Sequence, residues 1–271
     1  MSYLQNLHQH TTYCDGRDTP EDVVLAAIER GFDSIGISSH SYMYYSAYGK
    51  MTPENNEGCK REVRRLQAKY ADKIDLFCGF EFDMFSIVDM AGYDYMIGSV
   101  HYLDINGEKV GFDRSAEEVR AVIDTYFGGN GMAYARAYYK TLAHLPEYGS
   151  FDIIGHFDLI TKHSETHNFF DTSAPEYRRA AVEAAEALSG KIPYFEINTG
   201  AIARGYRTTP YPDPYITKEM KRLDFGAIIS SDCHDVRYLD TGYDMAKQLL
   251  RDAGFDCHYV LTKNGFLPIE L

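Results

Sequence analysis

Near one end the chain reads Tyr3-Leu4-Gln5-Asn6-Leu7-His8-Gln9-His10, and near the other Phe225-Gly226-Ala227-Ile228-Ile229-Ser230-Ser231-Asp232-Cys233-His234. Both stretches are short apolar runs that end in two metal-competent side chains spaced two apart. On extended backbone such residues point the same way, so His8 and His10 can share one ion, as can the surroundings of Asp232 and His234. Five further β-like runs lie between them, at 34–38, 74–80, 93–100, 151–155 and 193–197. They lead into His40, Glu81, His101, His156 and the segment Glu196-Ile197-Asn198, while Asp15 follows the first run closely.

Helical patterns fill most of the gaps, at 19–31, 53–72, 115–148, 175–189, 213–224 and 240–253, the third broken near Gly128-Gly129. Thr19-Pro20-Glu21, Thr52-Pro53-Glu54 and Ser115-Ala116-Glu117-Glu118 put a capping side chain, then proline or acids, in the first turn. Gly31 and Gly190 stand where C-terminal caps belong. Strand–helix alternation repeated about seven times implies a parallel sheet, either closed into a barrel or open and doubly wound. An open sheet gathers ligands only near its switch point, whereas a barrel brings every strand C-terminus to one face. Six strand ends carrying histidine or acid therefore favour an α/β fold closed as a (β/α) barrel, with residues 1–271 as one domain.

The 271 residues can bury a substantial core, and a hydrophobic content of 45% argues against disorder. No apolar run approaches the length of a bilayer span, and the opening residues do not read as a signal peptide, so a cytoplasmic location is expected. Five cysteines, at 14, 59, 78, 233 and 257, form no CxxC pair; a reducing compartment fits them better than a disulfide scaffold or thiolate zinc site. A net charge of −13 disfavours an anionic membrane or long nucleic acid as partner. A small phosphorylated substrate remains compatible, because bound metal reverses the sign locally. Oligomeric state is left open.

Six of the ten histidines fall just beyond an expected strand; His144, His163, His167 and His258 do not, and read as structural or solvated. Imidazole plus carboxylate without thiolate pairs suits zinc, iron or manganese at a catalytic site rather than at a closed structural one.

In order and spread, these residues make the chain resemble the polymerase-and-histidinol-phosphatase (PHP) family, from His8-Gln9-His10 to Asp232-Cys233-His234. Gly155-His156-Phe157-Asp158 and Glu196-Ile197-Asn198-Thr199-Gly200 are similar to segments of its histidinol-phosphate phosphatases. The resemblance implies a distorted seven-stranded (β/α) barrel of the PHP type holding three divalent metal ions (Zn, Mn or Fe). It implies a first ion on His8, His10, Glu81 and Asp232, and a second on Glu81, His101 and His156, with Glu81 bridging. A third would lie on Asp15, His40 and His234. Asp15 stands where many members have a histidine, a variant that favours a harder metal. Three dications beside three carboxylates would leave the pocket floor at about +3, a phosphate site. Where such phosphatases have a short Gly-Leu-Arg-like stretch after Asn-Thr, this chain reads Gly200-Ala201-Ile202-Ala203-Arg204-Gly205-Tyr206-Arg207, with the arginine displaced.

The expected reaction is phosphomonoester hydrolysis, foremost of L-histidinol phosphate to L-histidinol and phosphate in histidine biosynthesis. A hydroxide bridging two metals would attack phosphorus in line, with Glu81, Asp232, His234 and Arg204 as the catalytic side chains. Arg204, then Lys162, would grip phosphoryl oxygens, and Asn198 is the third expected substrate contact. The tyrosine-rich loop 41–48 would wall the pocket or cover it. Rival readings are a PHP phosphoesterase acting on nucleotides or oligonucleotide ends, an amidohydrolase-type hydrolase and a non-catalytic metal-binding domain. Amidohydrolases also open with HxH, but a strand-end lysine often bridges their metals where this chain has Glu81 and His101.

Overall fold

The computed structural model describes residues 3–46 and 51–271, so residues 47 and 48 of the tyrosine-rich loop lie outside the described residues. Strands β1 (Gln5–Asn6), β2 (Ser34–Ile37), β3 (Asp75–Asp83) and β4 (Tyr95–Ser99) pair in parallel. A hairpin of β5 (Tyr102–Ile105) and β6 (Glu108–Gly111) then intervenes. The parallel sheet resumes with β7 (Ile153–Ile154), β8 (Tyr194–Asn198) and β9 (Gly226–Ser230), giving the order β1-β2-β3-β4-β7-β8-β9. A second hairpin, β10 (Cys257–Thr262) and β11 (Gly265–Glu270), follows.

The seven parallel strands curl into a nearly closed barrel. At the seam, the chain just past β1 meets the chain just past β9: His10 N donates to Cys233 O at 2.8 Å and Cys233 N to His8 O at 3.1 Å. The Asn6 amide donates to Ser231 Oγ at 2.8 Å. Lower down, the Gln5 side chain bonds the Leu261 backbone in both directions at 2.8 Å, so β10 fills the gap beneath.

Side chains alternate along the strands, and the inward set is apolar at the bottom and polar at the top. Leu7, Phe77, Tyr95, Ile97, Ile153 and Ile228 form a buried plug. Tyr95 crosses it and donates its hydroxyl to Leu7 O; a Cβ on Gly36 or Gly79 would collide with that side chain, so both positions need glycine. Two residues past Gly79, on the same face of β3, stands Glu81. The plug ends where the polar cluster starts.

Outside the barrel lie α1 (Pro20–Glu29), α2 (Pro53–Lys69), α3 (Ala116–Phe127), α4 (Gly131–Ala143), α5 (Pro175–Leu188), α7 (Pro214–Arg222) and α8 (Tyr243–Asp252), while the short α6 (Gly200–Ala203) lies against Ser231 and Asp232 at the barrel mouth. Thr19 with Asp22, and Ser115 with Glu118, form reciprocal capping boxes. The tyrosine-rich composition finds a use here: Tyr134, Tyr138 and Tyr139 of α4 and Tyr177 of α5 are all buried, with the Tyr139 hydroxyl donating to that of Tyr177 at 2.7 Å. Among the described residues no helix is long and apolar enough to cross a membrane. The two hairpins and α6 depart from the sequence expectation. The first hairpin turns at Asn106-Gly107, φ 56° and 88°, where both central residues need positive φ to match strand twist.

Candidate metal centre

Glu81 is 1% exposed and stands among five imidazoles. Its Oε2 lies 2.6 Å from His40 Nδ1, 3.4 Å from His8 Nε2 and 3.6 Å from His10 Nε2. Its Oε1 lies 3.0 Å from His156 Nε2 and 3.4 Å from His101 Nε2. Histidines from four strand ends thus meet on one carboxylate from a fifth, and an isolated parallel bridge between His40 and Glu81 extends the β2–β3 pairing to the site. The β9 end adds Asp232, whose Oδ1 is 3.2 Å from His10 Nε2, and His234. Asp232 adopts φ 45°, in the left-handed region, as the chain turns over the barrel mouth. Asp15 Oδ1 closes the far side, 3.3 Å from His234 Nε2 and 3.5 Å from His40 Nε2.

His8 Nε2, His10 Nε2, Glu81 Oε2 and Asp15 Oδ1 are buried and face the other side chains of the cluster at ion-pair distance, without an aligned hydrogen bond among the described residues. Buried polar atoms left in this state are costly, and a cation between them removes the cost. Three sets bring one ligand atom per residue within 4.8 Å of one another: His10, Asp15, His40 and His234; His8, His10 and Asp232; His40, Glu81 and His101. The residues fit a cluster of divalent ions. All nine side chains expected as ligands come together, with His156 joining through Glu81. The grouping differs from the expected one in that His40 faces both Asp15 and Glu81, and His10 faces both Asp232 and Asp15.

Two carboxylates lie behind the cluster. Glu196 Oε2 is 2.9 Å from His8 Nδ1, and Asp83 Oδ2 is 3.2 Å from His101 Nδ1. A carboxylate at Nδ1 fixes the proton there and leaves the Nε2 lone pair facing the centre. Glu196 also accepts from His156 N at 2.7 Å, the Asn198 amide at 2.8 Å and Ser230 Oγ at 2.5 Å. Asp83 accepts from Tyr45 Oη at 2.9 Å and Phe85 N at 3.1 Å. The sequence reading did not assign Asp83; its spacing of two from Glu81 on one strand was the available signal.

Charge in the cluster is strongly polarised. Burial works against a protonated His8, but Glu196, Glu81 and Asp232 raise its pKa well above the ordinary value; Glu81 and Asp15 do the same for His40. His10 is pushed down to about 3 by burial and by its neighbours His234 and His40. Burial also opposes ionisation of Glu81 and Asp232, yet His40 and His8 around the first, and Arg204 and His8 around the second, hold both well below the usual carboxylate range.

Above the cluster opens a cavity of about 190 Å³, whose wall includes Asp113, Leu159, Lys162, Arg204 and Tyr206 besides the expected ligands. The short helix α6 presents Arg204, whose guanidinium donates to Asp232 Oδ2 at 3.0 Å and Asp232 O at 2.9 Å and lies 3.0 Å from His234 Nδ1. Lys162 is buried, with its ammonium on the Asp113 carbonyl. Asn198 is placed differently from the expected substrate contact. It is fully buried, and its amide donates to Glu196 at 2.8 Å and Asp232 at 3.4 Å, because β8 ends beneath the cluster rather than at its mouth. In the tyrosine-rich loop, Tyr45 turns inward to Asp83, whereas Tyr44 is 60% exposed.

A relative from Deinococcus radiodurans, named "Probable histidinol-phosphatase", is 27% identical over 268 residues, covering 94% of this chain and 95% of its own. The "Histidinol-phosphatase" of Lactococcus lactis is 26% identical over 277 residues, covering 96% of this chain and 93% of its own. Among solved structures, the histidinol phosphate phosphatase of Lactococcus lactis, in complex with zinc, L-histidinol and phosphate, has a TM-score of 0.71 at 20% identity. The match covers 97% of this chain and 98% of that one, so the two share a fold. The PHP domain model matches residues 6–200, more than half of the chain and most of the barrel described above, and the chain belongs to the PHP domain family.

Proposed function

We propose that this chain is a metal-dependent phosphomonoesterase that hydrolyses L-histidinol phosphate to L-histidinol and phosphate. The observation that carries the reading is the set of buried Nε2 and carboxylate atoms that converge on one another at ion-pair distance, beneath a cavity whose wall holds Arg204 and Lys162. The relatives' names support the substrate, as does the L-histidinol and phosphate in the Lactococcus structure.

In this reading three divalent ions (Zn, Mn or Fe) are held by His8, His10, Asp15, His40, Glu81, His101, His156, Asp232 and His234. Bound divalent ions supply Lewis acidity toward phosphoryl oxygens and an oxygen nucleophile at neutral pH. The protein's part is positioning and charge. Glu196 and Asp83 lock the rings of His8 and His101. Arg204 offers a planar fork to phosphoryl oxygens beside Asp232 and His234, and Lys162 adds a second positive charge as negative charge shifts to the leaving oxygen. Residues 1–271 act as one domain, since the C-terminal hairpin is built into the barrel seam. A cytoplasmic location is part of the same proposal, in keeping with five unpaired cysteines.

The test is phosphate release by the purified protein from L-histidinol phosphate, nucleoside monophosphates and nucleoside bisphosphates. Preference for L-histidinol phosphate supports the proposal, and preference for a nucleotide contradicts it.

A further inference from the structure

Lys162 and Arg204, the two cations on the cavity wall, come from different loops. Lys162 ends the single helical turn Leu159–Thr161 that follows His156, and Arg204 ends α6. Two cations grip one phosphoryl group well only when their spacing is held, since about 1 Å of misplacement can cost as much as 10²-fold in rate. Arg207 is bonded to both elements. Its backbone N–H and that of Tyr206 donate to Ala201 O in α6, at 3.3 and 2.9 Å. Its side chain reaches the other way: one end of the guanidinium donates to Thr161 Oγ1, next to Lys162, and the other to Thr209 Oγ1 at 3.1 Å. Thr161 Oγ1 in turn donates to Asp158 O at 2.8 Å, so that hydroxyl is used on both sides.

The Arg207 side chain is 6% exposed, and its Cζ stands over the Tyr211 ring, 4.6 Å from the centre. Glu165 Oε1 lies 3.9 Å from its Nε, but that carboxylate spends its oxygens on Thr208 N, at 2.8 and 3.0 Å, and on Thr209 Oγ1 at 3.3 Å. Glu165 thus joins the same two loops a second time. Between them, the Tyr206 ring packs against Lys162 Nζ at 4.7 Å and edge-on against His163 at 5.3 Å. Packing alone does not call for a guanidinium here, because an apolar side chain fills such a site at no loss of stability. An apolar side chain cannot bond hydroxyls on two loops from one rigid plane.

We infer that Arg207 is a positioning residue: it clasps the Lys162 turn to α6 and so sets the spacing at which Lys162 and Arg204 meet a phosphoryl group. Arg207 stands behind the cavity wall rather than on it, and acts through Lys162. The inference rests on the proposed phosphomonoesterase reading, but not on which phosphomonoester is cleaved, because the clasp serves the phosphate end alone.

The experiment is a double-mutant cycle on the metal-loaded enzyme, with Arg207→Lys, Lys162→Ala and the two combined. It is read by kcat/KM on L-histidinol phosphate and by calorimetric binding of inorganic phosphate. Arg207→Lys keeps the buried charge but cannot span both hydroxyls. It should lower kcat/KM by roughly ten- to a hundredfold and weaken phosphate binding, with metal content at the wild-type value. In the Lys162→Ala background the same substitution should change both readouts by no more than a few-fold, since the residue it acts through is gone. Glu165→Ala, at an exposed position in the same clasp, takes the place of Arg207→Lys if that variant does not fold, and should show the same dependence on Lys162 at smaller size. Equal losses in the two backgrounds, loss of metal in Arg207→Lys, or wild-type kinetics and phosphate affinity in that variant overturn the inference. A wild type that cleaves another phosphomonoester but not L-histidinol phosphate removes the substrate reading alone, and the cycle run on that ester still decides the role of Arg207. A metal-loaded wild type that cleaves no phosphomonoester and binds no phosphate removes both.

Discussion

Glu196 accepts the Nδ1 proton of His8 at 2.9 Å, and four donors in all converge on its buried carboxylate. The contact fixes the tautomer that turns His8 Nε2 toward Glu81. Replacing such a partner of a ligating histidine weakens metal affinity by about 10- to 100-fold. Glu196→Gln is therefore expected to retain fold and cavity yet release metal to a competing chelator at a correspondingly lower concentration. Elemental analysis after graded chelation measures this, and an unchanged chelation curve removes Glu196 from the account.

Glu81 touches the imidazoles of His8, His10, His40, His101 and His156, whereas His234 stands at the rim, 25% exposed in its side chain. Glu81→Gln should lose more than one metal per chain and lower turnover by more than the roughly 100-fold upper limit for an outer partner. His234→Ala should lose no more than one metal. Parallel metal counts on the two variants decide it; equal loss from both contradicts the bridging role.

Arg204 bonds Asp232 and approaches His234, so its removal acts twice. Arg204→Ala should lower kcat by about 10²- to 10³-fold through the lost phosphoryl contact. It should also loosen metal, because Asp232 loses the partner that most favours its charged form. Arg204→Lys should recover only part of the rate, an ammonium being unable to grip two oxygens in one plane. Steady-state kinetics beside metal analysis separates the effects; kinetics within a few-fold of wild type would make Arg204 a rim charge and Lys162 the next residue to replace.

The chelated protein should show an unusual pH dependence. His8, His40 and His101 have raised pKa values in the folded state, so the stability they contribute is complete below the unfolded value of about 6.5 and is lost as pH rises through their folded values. Glu81 and Asp232 have depressed values, so their contribution is present above the unfolded carboxylate value and lost in stronger acid. His10, pushed down to about 3, opposes the other histidines below about 6.5. His258, pushed down to about 4, and His163 oppose them in the same acid range, but above about 6.5 only the raised histidines still change charge, so the Tm of the metal-free protein should fall as pH rises from there toward alkaline values. Metal binding needs deprotonated imidazoles, so the Tm gained on adding metal should grow over the same interval. Thermal unfolding with and without chelator across that range measures both trends; a metal-free Tm that rises toward alkaline pH contradicts the charge pattern.

Much of this was legible in the sequence because strand period and strand ends carry the information together. His8 and His10, Glu81, and Asp232 and His234 could be placed together from their joint position at strand ends, since a parallel barrel forces all strand C-termini onto one face, while their grouping around ions came only from the family resemblance. The hairpins were not found, although Asn106-Gly107 and Asn264-Gly265 were the turn signals to read. Asp113 was missed with the first hairpin, since only its return path brings that residue beside His101. Asn198 was misplaced because the sequence shows that β8 ends there but not how deep in the barrel that end lies. The displaced arginine was identified, but its bonds to Asp232 and His234 depend on α6, a four-residue helix too short to announce itself.

Metal stoichiometry measured together with turnover tests the three-ion site most directly. Protein stripped by chelation, then titrated with zinc, manganese or iron while phosphate release from L-histidinol phosphate is followed, should regain full rate only as the third equivalent binds. Full turnover with one metal per chain, or in the metal-free protein, would contradict the trinuclear reading of His8, His10, Asp15, His40, Glu81, His101, His156, Asp232 and His234.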